Sequence, residues 1–110
     1  MSENPEPQYL YLTTIGRKSG KPHQIEIWFV KNADNYYMVT EDPAHSDWVK
    51  NILHNSAVIF SVGSREAEAI EGRGRLVDAA AEPELAAAVS ALMDAKYEWS
   101  NGQIVELKPN

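Results

Sequence analysis

The chemically richest stretch of this chain is one short turn, Gly16-Arg17-Lys18-Ser19-Gly20, followed by Lys21-Pro22. Its two glycines permit positive φ, so successive backbone N–H groups can point into one concavity. Arg17 offers a bidentate fork for phosphate or carboxylate, Lys18 a mobile point charge and Ser19 a hydroxyl donor. These are the ingredients of a phosphate site. The spacing is not that of a Walker loop, and no helix follows. The same residues also read as an exposed hairpin turn whose charges serve solubility. Spacing alone leaves both readings open.

Other residues compete for a chemical role. His45 and Asp47 lie close together after Glu41 and Asp42, but no His-x-x-x-His or comparable ligand spacing occurs, so no metal site is expected. Ser46 fits a helix N-cap better than a nucleophile, because no Gly-x-Ser-x-Gly elbow surrounds it. Arg73 and Arg75 share a strand face with Glu71, which suits either a salt-bridged surface or a grip on a ligand tail across a dimer. Trp28, Trp48, Tyr97 and Trp99 suit the wall of an aromatic pocket or plain core packing.

Bulk properties narrow the partners. The net charge is −6, which argues against nucleic acid or an anionic membrane as the main partner. Clustered cations on an acidic chain suit a small anionic ligand. With no cysteine, disulfides, thiolate catalysis and Cys-type zinc sites are excluded. The polar start with Pro5 and Pro7 is unlike a signal peptide, and no apolar run approaches the length of a membrane span. A cytoplasmic location is the expectation.

The elements that must position the turn are short and mostly extended. Residues 1–8 read as a disordered tail, and residues 9–110 as one domain. Tyr9 to Thr14 and His23 to Lys31 alternate in polarity and make a hairpin around the basic turn. Asn32 to Asn35 is a second turn, and Tyr36 to Glu41 the third strand. Trp48, Val49, Ile52 and Leu53 predict a short amphipathic helix ending near His54-Asn55. Two further strands span Ala57 to Gly63 and Ala67 to Asp78. Gly72 and Gly74 on one face of the latter suggest a bend that curls the sheet. Ala79 to Tyr97 is the longer helix, and Ile104 to Leu107 the last strand. The sum is a mainly β, α+β domain with about six strands and two helices in a small barrel.

Three blocks carry a family resemblance. The run Leu12-Thr13-Thr14-Ile15-Gly16-Arg17-Lys18-Ser19-Gly20-Lys21-Pro22 resembles the signature of the deazaflavin-dependent nitroreductase family. Trp48-Val49-Lys50-Asn51-Ile52 with Asn55 looks like its second block, and Gly72-Arg73-Gly74-Arg75-Leu76-Val77 like its third. The family belongs to the split β-barrel flavin and deazaflavin oxidoreductases, related to pyridoxamine-phosphate oxidase. The resemblance implies a six-stranded split barrel of the FMN-binding type, usually a homodimer. It implies the deazaflavin coenzyme F-420 as cofactor, or FMN as the alternative, and hydride transfer to a small electron-poor substrate. The second reading is a non-catalytic flavin- or deazaflavin-binding or carrier protein, with FMN or no cofactor. By resemblance, Arg17, Lys18 and Ser19 hold the cofactor phosphate, with His23 where the family often has Arg. The backbone of Ile25, Glu26 and Ile27 lies beside the ring. Thr40, Glu41, Asp47 and Trp48 border the cofactor, and Trp28 walls the substrate pocket. Glu41-Asp42 stands where relatives often place a Ser-Lys pair.

Overall fold

The computed structural model describes residues 7–110, so most of the expected tail, residues 1–6, lies outside the described residues. Strand β1 (Tyr9–Ile15) buries Leu10, Leu12 and Thr14 on one face, and leaves Tyr11, Thr13 and Ile15 half-covered and Tyr9 exposed on the other. The basic turn returns the chain as β2 (Pro22–Trp28), paired antiparallel to β1 from Tyr9↔Trp28 to Ile15↔Pro22. The expected hairpin is therefore present, with the turn at its tip.

The second strand does not run through to Lys31. It breaks at Phe29 and resumes as β3 (Val30–Asn32), which makes the sheet seven-stranded and not six-stranded. The cause is a distant side chain. The Phe29 amide donates to the Tyr97 hydroxyl oxygen at 3.0 Å, and the Phe29 carbonyl accepts from Tyr97 Oη at 2.9 Å and Lys96 Nζ at 3.0 Å. Both backbone groups of Phe29 thus have partners outside the ladder.

Strand β4 (Asn35–Thr40) follows, then a 3-10 turn (Pro43–His45) and helix α1 (Asp47–His54). Strands β5 (Ala57–Val62) and β6 (Ile70–Leu76), helix α2 (Pro83–Tyr97) and β7 (Gln103–Pro109) complete the chain. The strand order is β2-β1-β5-β6-β7-β4-β3, antiparallel at every junction. The sheet curls until β2 approaches β4, which gives a split barrel. Gly72 lets β6 and β7 close up: a Cβ there would stand 2.5 Å from the Lys108 carbonyl oxygen.

Two apolar layers hold this sheet. Inside the curl, Leu10, Leu12, Met38, Phe60, Val105 and Leu107 pack with Ile52 of α1. On the other face, α2 lays Ala86, Val89 and Met93 over Tyr37, Val39 and Ile104. Helix α2 starts later than the alanine run suggests. The Asp78 carbonyl accepts from the amides of Ala81 and Glu82, and its Oδ1 accepts from Ala80, so a turn precedes Pro83 at the helix start.

Arg75 fastens that start to the sheet. Its Nη1 donates to Glu82 Oε2 at 2.7 Å, and its Nε to the buried Glu106 Oε1 at 2.9 Å. The Tyr37 hydroxyl donates to Glu106 Oε2 at 2.8 Å. Glu82 and then Glu106 strengthen the hold of Arg75 on its proton, and Arg75 keeps the Glu82 carboxyl below the usual range. Burial, with Glu106 beside it, raises the Tyr37 phenol. Arg75 is accordingly part of a salt-bridged surface, whereas Arg73 donates to Ser56 Oγ at 3.2 Å.

Candidate cofactor-binding site

The basic turn is closed by its own backbone. Gly16 N donates to the Lys21 carbonyl and Gly20 N to the Gly16 carbonyl, each at 2.8 Å. Gly20 sits at φ 73°, the left-handed region glycine allows. Gly16 does not need positive φ; it leaves room, since a Cβ there would meet Ser19 Oγ at 2.7 Å and His23 Nε2 at 2.8 Å. The expected row of free amides is shorter than the motif suggests. Those of Gly16 and Gly20 close the turn, Arg17 N donates to Asn51 Oδ1 at 3.2 Å and Lys21 N to Ser19 Oγ at 3.1 Å. The amides of Lys18 and Ser19 remain without a protein acceptor among the described residues.

Arg17 is held against α1. Its Nη1 donates to Asn51 Oδ1 at 3.0 Å, and its Nη2 lies 3.4 Å from Asp47 Oδ1. Asn51 Nδ2 donates in turn to Thr14 Oγ1 at 3.1 Å, so β1, the turn and α1 meet at one buried amide. The sequence places Asn51 in a motif block without giving it a role. The signal for one is a polar residue on the apolar face of an amphipathic helix, three positions after Trp48.

A groove of about 570 Å³ opens beside this turn. Arg17, Lys18, Ser19 and His23 line its cationic side, and Ile25, Asp47 and Trp48 line it further along. Gly16 of the turn completes that side, and Thr14, Gln24 and Asn51 add lining that the sequence did not assign. A second groove of about 500 Å³ is lined by Ile27, Trp28, Thr40, Glu41, Trp48 and Trp99, with Val39 added. Trp48 lines both grooves. The Glu26 side chain lines neither; it accepts the Tyr11 hydroxyl at 2.8 Å on the outer face. That bond is the main reason the Tyr11 phenol is raised.

The second groove is an aromatic one. Trp28 stacks on Tyr97, with centroids 4.4 Å apart and planes 7° from parallel, and meets Trp99 edge-on at 6.2 Å. Beneath it, Ser46 stands at the N-cap position without capping: its Oγ donates to the Asp42 carbonyl at 2.8 Å and pairs with Thr40 Oγ1 at 3.0 Å. His45 Nδ1 lies 2.8 Å from Asp42 Oδ2 in an exposed pair. Among the described residues no group of three or more potential ligands gathers for a metal ion, and no helix is long and apolar enough to cross a membrane.

The curled antiparallel sheet and the two helices give the chain a split β-barrel fold. The model of the F-420H(2)-dependent quinone reductase family matches residues 3–103, and the chain belongs to that family. It is thus a member of a deazaflavin-dependent oxidoreductase family, and of the two cofactors implied by the motifs, coenzyme F-420 is the family's own.

Solved structures share the fold at low identity. HutZ, the heme storage protein of Vibrio cholerae, is 19% identical with a TM-score of 0.74, over 96% of this chain and 83% of its own. A candidate pyridoxamine 5'-phosphate oxidase from Listeria innocua is 15% identical with a TM-score of 0.67, over 94% and 84%. An F-420-H2-dependent reductase (FDR-A) is 19% identical with a TM-score of 0.65, over 98% and 100%. No curated protein matches the sequence.

The donor set fits the anionic end of the family's cofactor. The first groove holds a guanidinium, an ammonium, a hydroxyl and an imidazole, next to two amides with no protein acceptor among the described residues. That is the chemistry phosphate requires.

Proposed function

We propose that this protein binds coenzyme F-420 and reduces a small, flat, electron-poor acceptor such as a quinone or a nitroaromatic compound. One observation carries the reading: a cationic groove and an aromatic groove meet at Trp48. Arg17, Lys18, Ser19 and His23 bind the phosphate-bearing end. Ile25, Ile27 and Trp48 lie along the path between the grooves and border the ring, with Thr40, Glu41 and Asp47 at its margins. Trp28 and Trp99 offer flat walls for the acceptor. When bound in reduced form, the deazaflavin supplies a hydride, and a quinone that takes it together with a proton becomes a hydroquinone. The chain's own work is to grip, align and keep water from the reacting faces.

The reading extends to a homodimer. Tyr9 and Ile59 are large apolar side chains left 38% and 44% exposed, area that a second copy would cover. Light scattering on a sizing column tests this; a monomer at working concentration removes it.

Titration of coenzyme F-420 and of FMN, followed by fluorescence, tests the main reading. Saturable micromolar binding of F-420, with FMN weaker, is expected. Absence of saturable binding by both sinks it. Binding without oxidation of the reduced coenzyme by menadione would leave a carrier in place of an enzyme.

A further inference from the structure

All three tryptophans of the chain, Trp28, Trp48 and Trp99, line the second groove. They come from β2, from α1 and from the segment after α2, and nothing local in the sequence forces them together. The ionisable residue in that lining is Glu41, which is exposed. Arg17, Lys18 and His23 face the other groove. Lys96 stands behind the aromatic wall: its Nζ is 3.0 Å from the Phe29 carbonyl and 5.3 Å from the centre of the Tyr97 ring. Asp42, the neighbour of Glu41, is paired with His45. The two grooves therefore differ in sign, cationic at the turn and anionic at the tryptophans.

The geometry points to a charge filter: the tryptophan groove takes flat aromatic molecules that carry no negative charge, and Glu41 is the specificity-determining residue that disfavours anionic ones. This rests on the proposed function for the identification of the groove as the acceptor side. Indole faces bind planar rings by stacking and attract cations through their quadrupole. A carboxylate at the rim adds to that attraction and repels sulfonates and carboxylates. Because Glu41 is exposed, the effect is modest and screened by salt, about three- to fivefold in affinity at low ionic strength. The opposite signs also sort the two ligands: a phosphate-bearing cofactor end is drawn to the turn and an uncharged ring to the tryptophans.

Three indole N–H signals in a proton–nitrogen correlation spectrum, assigned by single substitutions, report occupancy without turnover. The probes are quinoline, N-methylquinolinium and naphthalene-2-sulfonate, alike in ring size and different in charge. Quinoline and N-methylquinolinium should shift the Trp28 and Trp99 signals along saturating curves, with the sulfonate about three- to fivefold weaker. Glu41→Gln, and separately about 0.5 M salt, should narrow that gap. The proposal is overturned if the sulfonate moves Trp28 and Trp99 as readily as N-methylquinolinium. It is equally overturned if Glu41→Gln leaves the ratio unchanged, or if none of the three probes moves these signals. Coenzyme binding is measured separately, so loss of the filter with intact F-420 binding leaves the proposed function standing. The filter can likewise survive a failure of coenzyme binding.

Discussion

Arg17 and Asn51, 34 positions apart, are joined twice at one atom: the backbone amide and the guanidinium of Arg17 both donate to Asn51 Oδ1. An arginine on a glycine-rich turn would otherwise sample many orientations. Here its base and its tip are fixed to a helix, so part of the ordering cost of gripping an anion is already met in the free protein. Asp47 at 3.4 Å from Nη2 adds direction and offsets some of the positive charge.

Asn51→Leu should therefore weaken two properties at once. It leaves the Arg17 amide and the Thr14 hydroxyl without their partner, at a cost of about 1–3 kcal/mol in thermal or denaturant unfolding. Coenzyme affinity should fall as well. In a double-mutant cycle, Asn51→Leu and Arg17→Ala should combine to less than the sum of their effects on affinity, because both act through one guanidinium. Strict additivity in isothermal titration would mean that Asn51 does not position Arg17.

Replacing both Arg17 and Lys18 with alanine removes the half-buried fork and the exposed point charge from the turn. Cofactor affinity should drop by about tenfold or more, consistent with losing a charge-assisted contact to phosphate. The circular dichroism spectrum should stay unchanged, since the backbone bonds closing the turn do not use these side chains. The salt dependence of binding should shrink in parallel. Equal affinity in the double variant would move the phosphate elsewhere.

The Arg75 cluster predicts how stability varies with pH. The Glu82 carboxyl is held below its ordinary range, so its contribution is present above that range and lost as pH falls through the depressed value. The Tyr37 phenol is raised by burial, so its contribution is present below the ordinary tyrosine range and lost as pH rises through the raised value. The melting temperature measured across pH should fall at both ends. Arg75→Met should flatten the acid limb, and an unchanged acid limb in that variant would assign it to other carboxylates.

Gly72→Ala should be strongly destabilising. The new methyl meets a backbone carbonyl oxygen at 2.5 Å, which no rotamer change can relieve, so β6 and β7 must separate. Overpacking of this kind costs about 1–3 kcal/mol or more. A melting temperature within error of the parent would show that the strands yield easily there.

Local patterning announced much of this fold. The alternation from Tyr9 to Thr14, the punctuation at Gly16–Pro22 and the amphipathic run from Trp48 to His54 each follow from neighbours in sequence, and each appears within a residue of its expected place. The break at Phe29 depends on a hydroxyl 68 positions away, so no window around Phe29 contains its cause. The start of α2 was signalled by Pro83 but obscured by the alanines before it, which suit helix and turn alike. The site divided in the same way. The basic turn is contiguous and legible; Asn51 stands out as a polar residue on an apolar helix face, but its partner Arg17 lies 34 positions away. Trp99 belongs to the groove only because α2 ends beside Trp28.

Ile52 packs into the space left by the missing side chain of Gly74, where a Cβ would come within 3.1 Å of it. Helix α1 also carries Asp47, Trp48 and Asn51, the residues that wall the first groove and anchor Arg17. The seating depth of that helix is thus calibrated by one absent methyl on the far strand. An alanine at position 74 would require Ile52 to give by a few tenths of an ångström; where its side chain cannot, α1 is shimmed outward and both grooves change shape with no lining residue altered.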